Sequence, residues 1–262
     1  MDLVRIKTEG RIATVSFDTG SKANALSQKL MRELTEAALL FHGDPAVSAV
    51  ILTGRADNFT LGADLKDPEG ESARRAGLSE RRILLRNGPA MCAAWEQVDA
   101  LTLCAIEGWC VGGGAALAAS CDLRIASSAA TFYVPEVERG MNMSWGSIPR
   151  FVALVGPART KRIAALCERI DARTALDWGL YDHVTEPGNA LAKAGQIASA
   201  AAKLPPTALK MVKHDTNVAA LALAKATAHR DLDAFALMQQ TEDFREGVKA
   251  FFEKRDPDFT GD

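Results

Sequence analysis

The sequence predicts an α/β protein in which short strands alternate with helices along the N-terminal part, while helical patterns dominate the C-terminal part. Residues 49–53 and 101–106 are short apolar runs, each followed by a turn and a helix-permitting segment, which is typical of buried strands. Beyond about residue 155 the patterns are helical and no comparable run of strands remains. This alternation indicates a layered α/β core, and the later change of pattern indicates a helical appendage.

Local patterns predict the remaining elements. Residues 3–7 and 11–17 alternate apolar and polar positions around a glutamate and a glycine, which predicts a β-hairpin. Ser27 is predicted to cap a helix that continues to Phe41. The polar stretch 66–78 lacks periodicity and is predicted to be a loop, whereas residues 79–97 are predicted to form one helix. Further helices are predicted over residues 157–167, 172–178, 190–203, 205–217, 221–240 and 242–253.

Two glycine-containing turns are the most informative features of the chain. Gly112, Gly113 and Gly114 lie between the strand 101–106 and a helix of small residues, and a second turn at residues 58–65 follows the strand 49–53. Without a Cβ atom, a ligand oxygen can approach the free N–H groups at the start of the helix. Two such turns could supply donors to one carbonyl oxygen. Close packing of strand and helix explains the glycines equally well.

Composition narrows the class of protein. The 262 residues carry a net charge of -2 with a pI near 6.1, so we expect no nucleic-acid partner. Charged residues interrupt the N-terminus and no apolar run is long enough for a membrane span, so we expect a cytoplasmic protein without a membrane partner. The 5 cysteines form no C-x-x-C pair and the 4 histidines are scattered, so we expect no bound metal.

Several stretches together resemble the crotonase, or enoyl-CoA hydratase/isomerase, superfamily over nearly the whole chain, and they occur in the order typical of that family. They are residues 23–27, 51–54, 62–65, 108–114, 121–126, 132–137, 156–159 and 246–257. The resemblance implies a crotonase-like ββα spiral core over residues 1–195, which holds an acyl-CoA site. It also implies a C-terminal helical region over residues 196–262 that covers the CoA and supports assembly as a homotrimer or hexamer.

The same resemblance implies roles for individual residues. The N–H groups of Ala63 and Gly113 would bind the thioester oxygen, and Glu136 would be the catalytic acid/base. A coenzyme A thioester would be the substrate, with no resident cofactor. The residues expected to contact the CoA thioester are Ala23, Ala25, Ala63, Asp64, Leu65, Lys66, Gly113, Phe251 and Lys254.

One position departs from the hydratase pattern. Hydratases of this family have a second carboxylate two residues after the glycine run, where this chain has Ala116. Glu136 alone can still take a proton from one carbon and return it to another, which favours isomerase-type chemistry. The apolar neighbours of Glu136 are expected to raise its pKa. Glu138, Asp64 and Glu107 are rival carboxylates.

Other interpretations remain open from the sequence. The fold also accommodates acyl-CoA hydrolysis, dehalogenation and C–C bond cleavage, for which Glu136, Glu138 or Ser144 could supply the reactive group. Because Ala116 cannot transfer a proton, a CoA-ligand binding protein with a decayed active site is a further alternative. Trp145 is expected either to narrow the acyl pocket or to be a core residue.

Overall fold

The larger of two sheets has six strands, and the hydrophobic core of the protein packs against it. The computed structural model describes the backbone of residues 1–262 and every side chain except those of residues 73–75, 78 and 225. The first pair of strands forms an antiparallel hairpin, as predicted, and all other neighbours are parallel. In spatial order the strands are β1 (Val4–Glu9), β2 (Ile12–Phe17), β3 (Ala49–Thr53), β4 (Leu101–Ile106), β6 (Leu123–Ser127) and β9 (His183–Thr185).

A smaller sheet stands beside the glycine-rich turn. It contains β5 (Trp109–Val111), β7 (Thr131–Tyr133) and β8 (Ile170–Asp171), with β5 parallel and β8 antiparallel to β7. Two isolated bridges, from Leu26 to Ala63 and from Thr60 to Cys110, join the second turn to this region. The smaller sheet and its bridges therefore position both turns.

The helices lie around the sheets and make up the C-terminal part. No helix within the described residues is both long and apolar enough to cross a membrane. A 3-10 turn spans Val137–Arg139. The helices are α1 (Gln28–Leu39), α2 (Pro68–Arg75), α3 (Leu78–Leu84), α4 (Asn87–Glu96), α5 (Gly113–Ala119), α6 (Ser147–Ala164), α7 (Ala172–Trp178), α8 (Ala190–Ala201), α9 (Pro206–Ala220), α10 (Ala224–Ala228), α11 (Asp231–Met238) and α12 (Glu242–Glu253).

Both faces of the central strands β3 and β4 are buried, which explains why these strands are nearly continuous apolar runs. In β3, Val50 and Leu52 join the main core with α1 and α4, whereas Ala49 and Ile51 pack on the opposite face. That face is covered by α8 through a row of buried alanines, Ala190, Ala194, Ala198 and Ala201. Small side chains at helical spacing let the helix approach the sheet closely.

Most predicted elements are confirmed, and three predictions are wrong. Ser27 caps α1 through a bond from the Leu30 N–H, and α7 and α12 have the predicted bounds. The stretch 66–78, predicted as a loop, contains α2, which begins where Asp67 accepts the Glu69 N–H at 3.1 Å. Capping and acidic residues in the first turn stabilise this helix without apolar periodicity. The single helices predicted over 79–97 and 221–240 are each divided, into α3 and α4 and into α10 and α11.

The division expected between residues 195 and 196 falls inside α8. Ala190 and Ala194 before that point and Ala198 and Ala201 after it pack on the same sheet face. A unit of packing therefore continues through the helix. We propose instead that the helical appendage begins after α8, at residues 202–205.

Asn24 fixes the segment that pairs with the second turn. Its backbone has a φ of +44°, and its amide nitrogen donates to the carbonyl oxygens of Phe59 at 2.8 Å and Phe17 at 3.3 Å. Its side-chain oxygen accepts the Thr19 N–H at 3.0 Å. A buried asparagine in the left-handed region thus satisfies three backbone groups from two different segments.

We expect Asn24→Ala to lower the free energy of unfolding by about 2–4 kcal/mol, because it leaves buried backbone groups unpaired and strains the backbone. Asn24→Gly removes the same hydrogen bonds without the left-handed strain, so it should be less destabilising than Asn24→Ala. Urea denaturation of both variants measures the difference. Equal stability of Asn24→Ala and the unmodified protein would contradict this account.

Candidate active site

The two turns predicted from the sequence meet in the structure. Gly62 has a φ of +89°, and a Cβ atom on it would lie 2.7 Å from the Val111 carbonyl oxygen and 3.4 Å from the Gly113 nitrogen. The Thr60 N–H donates to Trp109 at 3.0 Å and the Val111 N–H donates back to Thr60 at 3.1 Å. Only glycine permits this approach, because any side chain at position 62 would clash with the neighbouring backbone.

The meeting of the turns leaves two backbone donors free. The Leu26 N–H donates to Gly62 at 2.8 Å and the Asp64 N–H donates to Leu26 at 3.1 Å, so the intervening Ala63 N–H is not used in the bridge. Gly113 is the first residue of α5, where an N–H has no partner within the helix. In the described part of the chain, neither of these N–H groups has an acceptor.

A narrow cavity adjoins both free donors. It has a volume of about 80 Å³, and its lining includes Ala63, Gly113, Glu136, Trp145 and Phe235 of α11. One water needs roughly 10–15 Å³ on the same scale, so the cavity has room for only a few small groups. The site brings together residues that lie far apart in the sequence.

Glu136 places its carboxylate against the glycine turn. A Cβ atom at Gly112, whose φ is +51°, would lie 2.5 Å from the Glu136 Oε1. The residue as a whole is partly accessible through the cavity, but its Oε2 is buried and has no hydrogen-bond partner among the described residues. A buried carboxylate oxygen without a donor is unusual in a purely structural residue.

Burial raises the pKa of Glu136 to about 7, while a bond to its own backbone and the charge of Arg139 act in the opposite direction. Loss of hydration destabilises the charged carboxylate more than these two contacts stabilise it. A carboxyl group with a pKa near neutrality can both accept and release a proton under ordinary conditions. The expected rise in the pKa of Glu136 is confirmed.

Two rival carboxylates have other partners. Glu138 is exposed and accepts the hydroxyl of Tyr133 in a short hydrogen bond. Glu107 is buried and accepts the Ala190 N–H at 3.1 Å, so it caps the start of α8. Among the described residues, Glu136 is the one carboxylate that lines the cavity.

Asp64 and Ala116 are also accounted for. The Asp64 Oδ1 accepts the Lys66 N–H at 2.9 Å, which is the Asx turn expected from the sequence. Ala116 is fully buried one helical turn after Gly113 and contributes no titratable group. Within the described residues, no cluster of three or more histidine, cysteine or acidic side chains could hold a metal ion.

The residues expected to contact CoA lie in two groups. Ala23 and Ala25 belong to the segment that runs beside the second turn, where the Leu61 N–H donates to Ala23 at 2.9 Å. Leu65 lines the cavity, and the exposed Lys66 places its Nζ 5.4 Å from the ring of Phe252. Within the first group, Ala63 and Leu65 form part of the rim of the cavity, whereas Ala23 and Ala25 lie on the segment beside it.

The second group lies at the end of α12. Phe251 stacks on the Arg139 guanidinium at 4.1 Å, so this helix lies beside the site of its own chain. Lys254 ends the helix with a φ of +55° and is exposed, and it is not among the residues that line the cavity.

Sequence reasoning missed part of the cavity wall. Arg139, Met141 and Met143 follow Glu136 closely, so their proximity to it was a usable signal. Phe235 reaches the cavity from α11, about 100 positions further on, and no local pattern marks it. Its position depends on how the C-terminal helices fold back onto the site.

A mixed three-stranded sheet beside a mostly parallel one, two free N–H groups and a carboxylate with a buried oxygen are the features of a protein of the crotonase fold. The sequence profile of the enoyl-CoA hydratase/isomerase family matches residues 7–262, and the chain belongs to this family of enzymes, which act on CoA thioesters. The short-chain-enoyl-CoA hydratase of Clostridium acetobutylicum is 31% identical over 256 residues, covering 96% of this chain and 95% of the relative. The crotonyl-CoA hydratase of Syntrophomonas wolfei is 31% identical over 255 residues, covering 97% and 96%.

Solved structures agree with the fold. The enoyl-CoA hydratase/isomerase of Pseudoalteromonas atlantica T6c superimposes with a TM-score of 0.86 at 26% identity, covering 98% of this chain and 100% of that one. An enoyl-CoA hydratase of Mycobacterium avium subsp. paratuberculosis gives a TM-score of 0.87 at 23% identity, with 98% of each chain covered. The crotonase-like core with its C-terminal helical appendage is therefore confirmed.

The raised pKa of Glu136 predicts a pH-dependent effect on stability. Because the folded protein holds this proton up to about pH 7 and the unfolded chain only to about pH 4.5, stability is lost as the pH rises between these values. Glu136→Gln stays neutral, so it should exceed the unmodified protein in stability by up to about 3 kcal/mol above pH 7. Urea denaturation at pH 5 and pH 8 measures this, and an equal difference at both pH values would contradict it.

Proposed function

We propose that the protein transfers a proton within an acyl-CoA thioester, and that double-bond isomerisation is its favoured reaction. The single observation that carries this proposal is the pair of free N–H groups, of Ala63 and Gly113, facing the cavity that holds the Glu136 carboxylate. Donors for a developing oxyanion beside one carboxyl with a pKa near 7 are the parts that enolate chemistry requires.

Each residue has a defined role in this mechanism. The thioester oxygen accepts hydrogen bonds from Ala63 and Gly113. Glu136 removes a proton from Cα of a 3-enoyl thioester, and the electron pair of that C–H bond delocalises onto the oxygen. The same carboxyl returns the proton to Cγ, and the double bond moves to the 2,3 position. The proton and electrons balance, and Glu136 ends in its original state.

Hydration of a 2-enoyl thioester is the second candidate, because the two similar relatives described above are named hydratases. Hydration needs a group that orients water toward Cβ while another protonates Cα. The buried Ala116 cannot do this, and Glu136 is the one carboxylate that lines the cavity among the described residues. The chemistry available to one carboxyl favours isomerisation.

The remaining contacts to the thioester are part of the proposal. Ala23, Ala25 and residues 63–66 would border the pantetheine and the nucleotide, as the rim of the cavity suggests. In an assembly, Phe251 and Lys254 of one subunit would approach the adenine and the 3′-phosphate of CoA bound to a neighbouring subunit. Assembly as a homotrimer or hexamer is supported by exposed apolar side chains such as Leu223, which is 82% exposed in the single chain.

We expect Glu136→Gln to lower the rate of exchange of the acyl-CoA α-protons with D₂O by at least about 100-fold, because it removes the only proposed proton acceptor. NMR of bound thioester in D₂O measures the exchange. Glu138→Gln is the matched control, since it removes a neighbouring exposed carboxyl that does not line the cavity.

Rates measured with the same protein preparation decide between isomerisation and hydration. Under the proposal, a 3-enoyl-CoA isomerises faster than crotonyl-CoA is hydrated, and Glu136→Gln abolishes the isomerisation. Faster hydration of crotonyl-CoA would overturn the preference for isomerisation. Absence of exchange in the unmodified protein, together with tight CoA binding, would leave only a binding role.

Trp145 limits the space for the acyl chain. Its indole packs on two glycines, since Cβ atoms at Gly113 and Gly88 would lie 2.4 Å and 2.1 Å from its ring. It lines both the site cavity and a second cavity of about 100 Å³ that reaches Met31 and Phe244. The ring therefore forms a wall shared by the two spaces, which supports the narrowing of the acyl pocket, one of the two roles expected for Trp145 from the sequence.

We expect Trp145→Ala to join the two cavities and to shift the preference toward longer acyl chains. The ratio of kcat/KM for a long enoyl-CoA to that for a short one should rise by at least about tenfold, since several buried methylene groups gain room. Trp178→Ala is the control, because Trp178 packs in α7 away from both cavities. An unchanged ratio would show that Trp145 is only a core residue.

A further inference from the structure

Arg139 is a charged cavity-lining residue that the proposed reaction does not use. It belongs to the 3-10 turn that follows Glu136 and lines the same cavity. The side chain is partly buried, and burial lowers the pKa of its guanidinium from the ordinary value. Loss of hydration around a charge is costly unless a partner replaces the water.

No such partner exists in the described part of the chain. The guanidinium of Arg139 makes no hydrogen bond or ion pair with any described residue, and its close contact is the face of Phe251 at 4.1 Å. By contrast, two arginines that are more deeply buried, Arg124 and Arg150, pair with a carboxylate at 2.8 Å and 2.7 Å, respectively. Stacking on an aromatic face leaves the N–H groups at the edge of the guanidinium available for an acceptor.

The backbone around Arg139 is held firmly by α12. A Cβ atom at Gly247 would lie 2.5 Å from the Arg139 carbonyl carbon, so the helix backbone packs directly on the turn. Gly140, with a φ of +66°, approaches the Asp243 carbonyl oxygen in the same way. Because Phe251 belongs to the same helix, α12 fixes both the turn and the plane on which the guanidinium lies.

We propose that Arg139 binds a carboxylate carried by the acyl part of the substrate, so that the site selects acyl-CoA thioesters with a second acid group. The proposal rests on the proposed function in placing the thioester at Ala63 and Gly113. A guanidinium with free edge donors matches a carboxylate in a paired, charge-assisted geometry. Arg139 and Glu136 line the same cavity, so an acyl group that lies beside Glu136 is also within the space that Arg139 borders.

The phosphates of CoA are the other possible source of an anion. They are separated from the thioester by the full pantetheine arm, whereas Arg139 lines the cavity that holds Glu136 and Gly113. A group that reaches Arg139 while the thioester oxygen occupies the free N–H groups therefore belongs to the acyl chain. This placement favours the acyl carboxylate over a phosphate.

Binding of two unreactive thioesters tests the proposal without any turnover. Calorimetry compares glutaryl-CoA, which ends in a carboxylate, with valeryl-CoA, which does not. We expect Arg139→Met to weaken the binding of glutaryl-CoA relative to that of valeryl-CoA by at least about tenfold. Arg139→Lys should have a smaller effect, because lysine keeps the positive charge but lacks the paired N–H donors of a guanidinium. Arg159→Met, an exposed guanidinium beside Trp178, is the matched control and should change neither affinity.

The outcomes separate the possibilities. An unchanged ratio of the two affinities in Arg139→Met and Arg139→Lys overturns the proposal. Equal weakening of both thioesters and of free CoA would assign Arg139 to a CoA phosphate and would also overturn it. Circular dichroism establishes whether the variants are folded. If Arg139→Met does not fold, the comparison of the two affinities is made with Arg139→Lys. Because glutaryl-CoA and valeryl-CoA have no double bond to move, their binding is measured independently of isomerisation. Selective glutaryl-CoA binding by a protein that does not isomerise a 3-enoyl-CoA would refute the proposed reaction and leave this inference standing.

Discussion

The site depends on one close contact between two backbone turns. Gly62 lies against Val111 and Gly113 at a separation that excludes any side chain, with a Cβ atom meeting the Val111 oxygen at 2.7 Å. The contact aligns the turns so that the N–H groups of Ala63 and Gly113 have no acceptor among the described residues, and both residues line one cavity. Because Gly112 has no Cβ atom, the carboxylate of Glu136 can lie directly against its backbone. Glycine at these positions is thus a steric requirement of the site.

This geometry places two ionisable side chains, Glu136 and Arg139, in buried or partly buried positions without full hydrogen-bonding partners. Glu136 has an oxygen without a donor, and Arg139 has no carboxylate or carbonyl partner among the described residues. Both arrangements lower the stability of the folded chain relative to paired groups. They become favourable when a ligand supplies a proton, an oxygen or an anion. The same desolvation that destabilises the empty site therefore gives Glu136 a pKa suited to proton transfer.

The C-terminal helices take part in the site as well as covering it. Trp145 has a φ of +62°, a strained conformation for a bulky residue, and its carbonyl oxygen accepts a bond from Arg150 at 2.8 Å. The next N–H, of Gly146, donates to Asp231 at the start of α11 at 2.8 Å. Phe235 of the same helix lines the cavity. The appendage thus holds the strained turn and completes the cavity wall.

The sequence by itself determined the alternating core, the two glycine turns and Glu136, because strand periodicity, helix caps and glycine runs are encoded over a few neighbouring residues. It also excluded a second carboxylate at position 116. It did not reveal α2, whose capping by Asp67 replaces apolar periodicity, nor Phe235 and the unpaired state of Arg139. Only the tertiary structure decided which N–H groups stay free and which charges lack partners, since both depend on contacts between segments distant in the chain.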